Sequence, residues 1–260
     1  MIRISILASG SAGNAILAMA GETALVVDAG LSAKRIQGLI DGLDDPPKGL
    51  DGVLISHEHV DHARGVDGLC KKHGMPVFTN AFTGERLRSM GIETEMRYFS
   101  TPSAFEVGSF HITPFTVPHD AADPVGFVLR YKESSFAVAT DLGYAPKSVV
   151  NAMRGVNAVL LESNHDEAML QQDAKRPPSV KQRILSHHGH LSNRAAADLI
   201  TEIATPDLRH VLLAHLSDDC NSSSLAINAM REALQKTGNS HTKVDCPGAS
   251  GAQLPFSITI

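Results

Sequence analysis

The chain has 260 residues, 43% hydrophobic and 20% charged, which excludes a disordered or fibrous polypeptide and fits a soluble globular one. A formal net charge of −5 excludes a global basic field that would gather nucleic acid, while leaving room for a local basic groove. Three widely spaced cysteines, Cys70, Cys220 and Cys246, form neither a CxxC zinc pattern nor a disulfide framework and suit a reducing cytoplasm.

The N-terminal stretch Ile2 to Leu7 alternates with period two, as a strand does, and does not read as a signal peptide. No apolar run is long enough to span a membrane. Ser9-Gly10-Ser11-Ala12-Gly13-Asn14 reads either as a hairpin turn or as a loop whose N–H groups face an anion; the turn is the simpler reading and is preferred. Ala15 to Ala18 and Ala24 to Val27 continue as strands. Asp28 then either caps a helix from Ser32 to Ile40 or accepts a hydrogen bond from a metal-bound His, and the sequence does not separate the two.

After a loop at Asp44 to Gly49, Val53-Leu54-Ile55 reads as a buried strand. It runs into Ser56-His57-Glu58-His59-Val60-Asp61-His62, which packs three imidazoles and two carboxylates into His57–His62. These are the usual ligands of zinc and similar divalent ions. A tight loop after the strand lets His57 and His59 point the same way, while Glu58 and Val60 point elsewhere. Asp61 and His62 fall where a helix over Ala63 to Cys70 begins, within reach of a second ion. Two ions roughly 3.5–4 Å apart activate a bridging water and stabilise an in-line displacement.

Further on, Val77 to Thr79 is a strand and Ala81 to Met90 a helix. Tyr98-Phe99, Ala104 to Val107 and Phe110 to Val117 are strands, the last ending at His119. Val125 to Tyr131 and Ser135 to Ala139 form a hairpin that ends at Asp141. Val156 to Leu161 is a buried strand ending in Glu162-Ser163-Asn164-His165-Asp166. Lys175 to Pro178 is a break before a helix from Ser179 to about Ser186. Ser192 or Asn193 caps a helix from Arg194 to Ile203, His210 to Ala214 is a strand ending at His215, and Leu225 to Gln235 is a helix. Thr242 to Val244 and Phe256 to Ile260 are expected to close the sheets. No linker divides the chain, so residues 1–260 are expected to form one domain.

Apolar strands repeatedly end in His or Asp, as sites assembled at the strand ends of layered α/β folds do. The expected first metal site is His57, His59, His119 and bridging Asp141. The expected second is Asp61, His62, Asp141 and His215. Ligands of this kind without cysteine accept zinc foremost, and manganese or iron.

The order HEHVDH, lone His119, Asp141 in a Thr-Asp-Leu-Gly context and His215 after an apolar strand resembles the metallo-β-lactamase superfamily. That resemblance implies a four-layer αββα sandwich, an α/β fold, with a binuclear site at one edge. The Ser9–Asn14 loop, Pro118-His119-Asp120, Glu162–Asp166, Gly189-His190-Leu191-Ser192-Asn193 and Ala214-His215-Leu216-Ser217 together are similar to the YycJ/WalJ branch. That branch is related to tRNase Z and the phosphonate-operon phosphodiesterases. The likeness covers nearly the whole chain, weakening after about Glu232. It also implies that His190, in Gly189-His190, is a general acid beside the metals. His187 and His188 fall outside the pattern and are read as histidines at a helix C-terminus, favoured by its dipole. Asn164, His165 and Asp166 fit either support of the metal site or contact with substrate.

Two departures matter. Asp218-Asp219 stands where the branch usually carries an Asn pair, and the long arm that grips tRNA in tRNase Z is missing, which argues against transfer RNA as substrate. The leading expectation is a metal-dependent phosphodiesterase or nuclease on DNA or RNA, using a metal-bridging hydroxide. Asp61 would orient that oxygen or take its proton, His190 would protonate the leaving oxygen, and Lys175, Arg176, Lys181 and Arg183 would track a phosphate backbone or form a solvated face. The alternatives are a carbonyl hydrolase (lactonase, thioesterase or β-lactamase-like) and a non-catalytic binding module with a structural metal.

Overall fold

The computed structural model describes residues 1–248 and 254–260. The first three alternating segments, β1 (Arg3–Ala8), β2 (Ala15–Ala20) and β3 (Thr23–Val27), form an antiparallel meander. β4 (Gly52–Leu54), β5 (Val77–Thr79) and β6 (Met96–Tyr98) join it in parallel, because a helix returns the chain between them. The second half repeats the plan. β7 (Phe105–Val107), β8 (Phe110–Thr116), β9 (Val125–Tyr131) and β10 (Ser134–Ala139) are antiparallel, and β11 (Ala158–Glu162), β12 (His210–Ala214) and β13 (Lys243–Asp245) extend the sheet in parallel. β14 (Phe256–Thr259) crosses back to pair with β1, giving two seven-stranded sheets among the described residues.

Period-two alternation sends one set of side chains from each sheet inward. Ile4, Ile6, Leu25, Val27 and Leu54 of the first sheet meet Phe110, Phe127, Phe136, Leu160 and Leu212 of the second. Burial of each such side chain contributes about 1.5–3 kcal/mol. The opposite set faces helices. On the first sheet these are α1 (Ala33–Asp41), α3 (Val66–His73) and α4 (Ala81–Ser89), through Ile36, Leu69 and Leu87. On the second they are α5 (Lys147–Met153), α8 (Asn193–Ile203) and α9 (Ser223–Lys236), through Val150, Ile200 and Met230. The result is the expected αββα sandwich.

Two local expectations are corrected, and one open choice is decided. The helix read over Ala63 to Cys70 is two pieces, α2 (Val60–Ala63) and α3, separated at Arg64-Gly65. Here the chain presses against the Asp28–Leu31 turn: Gly65 N–H donates to Ala29 O, and a Cβ at Gly65 would lie 2.1 Å from Leu31 O. The helix read to Ser186 is α7 (Pro178–Ile184), following the short α6 (Glu167–Gln172). His187 and His188 therefore lie past a helix end, with His187 against Tyr144 at 4.8 Å between ring centres. Finally, Asp28 does not cap α1; Ser32 does, accepting from Arg35 N.

The parallel strands direct their C-terminal ends to one edge, the usual place for sites in such sheets. Register aligns Ala139, Leu161 and Leu213 across β10, β11 and β12, so Asp141, Glu162 and His215 emerge side by side. Asp28, Asp141 and His215 all take the left-handed backbone conformation, with φ of 59°, 56° and 57°. Non-glycine residues hold that conformation at some cost in strain, and it turns each side chain sharply off its strand.

Candidate metal centre

The histidine loop owes its shape to contacts from the N-terminal turns. Asn14 N–H donates to Asp61 O, Ala29 N–H to His62 O, and Gly30 N–H to Asn14 O. Ser9–Asn14 is thus the hairpin connection expected, and it also clamps the motif. Gly30 lies so close that an added Cβ would sit 1.7 Å from Asp61 O. Gly30→Ala is expected to destabilise the fold by about 3 kcal/mol, read as a fall in the chemical-denaturation midpoint.

Within this frame the predicted ligands converge. His57 Nε2 lies 3.1 Å from His59 Nδ1, and the His119 ring centre lies 5.2 Å and 5.1 Å from those of His57 and His59. His62 Nε2 lies 3.1 Å from Asp141 Oδ2 and 3.7 Å from Asp61 Oδ2, while His215 Nε2 lies 3.9 Å from Asp61 Oδ2. His119 Nε2 is 3.9 Å from Asp141 Oδ1, so Asp141 stands between the two groups. Four donors about 2.0–2.1 Å from one tetrahedral ion are separated by about 3.3 Å. The observed separations straddle that edge length. Among the described residues Asp141 Oδ2 and His215 Nε2 are buried without a hydrogen-bond partner, and all the candidate donors are N or O. Orphaned buried donors of this chemistry fit divalent cations.

Behind the candidate ligands lies a layer of oriented acceptors. His62 Nδ1–H donates to Asp28 Oδ2 (2.8 Å), which turns Nε2 toward Asp141 (3.1 Å) and the Asn14 amide (3.0 Å). Ser56 Oγ donates to the same carboxylate (2.9 Å) and receives His57 Nδ1–H (3.0 Å), which frees His57 Nε2 in turn. Asp28 therefore orients two of the candidate ligands, His62 directly and His57 through Ser56, which favours the second of its two sequence readings.

Glu162 does the equivalent on the other side, and sequence reasoning assigned it no role. Fully buried, it accepts from His190 Nδ1 (2.7 Å) and His215 Nδ1 (2.9 Å) through Oε1, and from Leu142 N and Leu191 N through Oε2. Its signal was positional: a carboxylate ending a strand between those that end at Asp141 and His215. Glu162→Gln keeps the shape and loses the charge. It is expected to weaken metal binding about 10–100-fold, measured by competition with a chromophoric chelator.

Electrostatics follow from burial and proximity. Burial would push the His62 imidazole down, but the carboxylates of Asp28 and Asp141 outweigh it and raise its pKa to about 10. Burial would lift the Glu162 carboxyl, yet His190 and His215 hold it at about 2. Asp141 is held well below the carboxylate range, since His215 and His62 overcome its burial. His190 rises, because Glu162 outweighs desolvation. Asp141 and Glu162 are thus ionised at neutral pH, and a cation entering the cluster would displace protons from the histidines.

The basic residues do not form an open track. Lys175 pairs with Asp219 at 2.5 Å, Arg176 with Asp173 at 2.6 Å and Asp219 at 3.3 Å, and Arg183 with Asp120 at 2.5 Å. Lys181 donates to Gln171 O. Of the two sequence readings, the structure favours a charge-compensated face, and Asp219, one of the departures at 218–219, supplies much of the compensation.

The model of the Beta-lactamase superfamily domain matches residues 23–216. The chain belongs to this superfamily. Within it, the chain is 35% identical over 240 residues to Exodeoxyribonuclease YycJ of Bacillus anthracis, covering 91% of this chain and 90% of that one. It is 34% identical over 237 residues to Exodeoxyribonuclease WalJ of Streptococcus pneumoniae serotype 2 (strain D39 / NCTC 7466), covering 89% and 88%. These identities place it in the YycJ/WalJ branch. In fold it is similar to the metallo-beta-lactamase fold protein YhfI of Bacillus subtilis, with a TM-score of 0.73, 17% identity and coverage of 99% and 98%. Among the described residues no helix is long and apolar enough to cross a membrane.

Proposed function

We propose that this beta-lactamase superfamily member is a metal-dependent phosphodiesterase acting on nucleic acid, a DNA exonuclease foremost. Two divalent cations, zinc before manganese or iron, would be held by His57, His59, His119, Asp61, His62 and His215, with Asp141 placed to reach both. Bound there, the cations would polarise a phosphoryl oxygen and lower the pKa of a coordinated water. Asp61, about one-quarter exposed, faces the cluster from the open side, where it orients the attacking water and takes its proton. His190 gives a proton to the departing oxygen, so one ester P–O bond is exchanged for one to water, leaving a monoester and an alcohol.

The observation that carries this reading is the His190–Glu162 pair. Glu162 takes Nδ1–H and, outweighing burial, raises the imidazole pKa, which favours the protonated form that gives a proton from Nε2; Nδ1 stands 3.7 Å from Asp141. An alkoxide leaving group needs such an acid. The branch relatives, named as exodeoxyribonucleases, support the same reading.

The test is hydrolysis of end-labelled single- and double-stranded DNA oligonucleotides, against nitrocefin and a homoserine lactone, before and after chelation. DNA should be shortened stepwise from an end, the activity should vanish with chelator and return with zinc or manganese, and the carbonyl substrates should remain intact. Turnover of the carbonyl substrates alone would overturn the proposal.

A further inference from the structure

The segment Asn164-His165-Asp166 leaves β11 beside the metal cluster, and two of its three side chains have structural duties. Asn164 Nδ2 donates to His215 O (2.9 Å), and Asp166 Oδ1 accepts from Met169 N as the cap of α6. His165 between them has none. Its backbone is fixed by a bridge to Ser192 and by Asn193 N–H donating to its carbonyl, but the residue is 1% exposed and neither ring nitrogen has a partner among the described residues. A buried imidazole with both nitrogens unmet is costly and calls for a polar occupant beside it.

His165 lines a cleft of about 180 Å³ together with Ser11, Asn164, Arg176, His190 and Ser217. The lining is rich in donors. Ser217 Oγ accepts from Cys220 N (3.2 Å) and Arg176 Nη2 (3.5 Å), which leaves its own hydroxyl proton to give. The Ser11 side chain is exposed at the mouth. The Arg176 guanidinium is held in place by Asp173 and Asp219, so its fork is oriented in advance. Asp173 and Asp219 are balanced by Arg176 and Lys175, while Glu162 behind His190 and Asp166 and Glu167 near His165 are the other carboxylates about the cleft. His190 belongs to both the cleft and the metal cluster, so an occupant lies next to the scissile diester.

We infer that this cleft holds a terminal phosphate monoester of the nucleic-acid chain, with His165 and Ser217 donating to its oxygens. The inference rests on the phosphodiesterase reading for its substrate class. It makes the enzyme one that recognises a phosphorylated chain end.

The holoenzyme is tested on the thymidine dinucleotides TpT, pTpT and TpTp, which carry hydroxyl, 5′-phosphate and 3′-phosphate ends. One phosphorylated form should exceed TpT in kcat/KM by about ten-fold or more, mainly through KM, as a few charge-assisted hydrogen bonds supply. His165→Ala and Ser217→Ala should each bring that ratio close to one; because the ratio is internal to each variant, general loss of activity cancels. Equal rates on all three dinucleotides, or a preference that survives both substitutions, would overturn the assignment. Calorimetric binding of thymidine 5′- and 3′-monophosphate against thymidine involves no diester and so decides the matter even if hydrolysis fails. Phosphate-dependent binding should weaken at least about ten-fold in His165→Ala. Binding undiminished there belongs to the metal cluster and counts against the cleft.

Discussion

Asp141→Ala is expected to lower kcat/KM for bis(p-nitrophenyl) phosphate by on the order of 10³-fold or more, because it withdraws several kcal/mol of charge stabilisation and each 1.36 kcal/mol is a factor of ten. Asp141 is the one carboxylate in contact with both histidine groups, lying 3.1 Å from His62 and 3.9 Å from His119. It is 3% exposed, so its loss leaves buried imidazoles facing one another without a counter-charge. His59→Ala, a half-buried position on one side only, should follow in the same direction. Steady-state rates with metal supplied in excess decide it: retained turnover in both variants would sink the hydrolytic reading.

His190→Ala should separate two substrates that Asp141→Ala does not. A nucleoside alkoxide leaves poorly without a proton, whereas p-nitrophenolate leaves unaided. Loss of a general acid costs typically 10²–10⁴-fold. Hydrolysis of TpT should fall by about that much, and hydrolysis of bis(p-nitrophenyl) phosphate by far less. The imidazole also shares Glu162 with His215, so metal content must be measured in the variant. Equal losses on both substrates, with metal retained, would show that His190 positions the site and transfers no proton.

The candidate ligands were more legible in the sequence than the residues that support them, and the reason is geometric. His57, His59, Asp61 and His62 are contiguous, and His119, Asp141 and His215 each follow an apolar strand, so chain order and period-two alternation pointed to one sheet edge. The resemblance supplied His190. Glu162 was visible as a strand-ending carboxylate, but only the parallel register of β10, β11 and β12 shows that it meets two imidazoles at once. Asp28 was ambiguous because a carboxylate before a helix is also a cap. Ser32, four residues on, took that duty, and a φ of 59° turned Asp28 toward Ser56 and His62 instead. The split of the helix after His62 depended on Gly65 meeting Leu31, a contact between segments that no local periodicity reports. The ion pairs of Lys175, Arg176 and Arg183 were likewise set by partners up to 63 residues away.

Anomalous diffraction from crystals of the purified protein, recorded on both sides of the zinc and manganese edges, bears most directly on the whole account. It should show two peaks roughly 3.5–4 Å apart, one among His57, His59 and His119, the other among Asp61, His62 and His215, with Asp141 touching both. An ordered ion bound elsewhere, or an empty cluster in protein that still cleaves DNA in the presence of chelator, would contradict it.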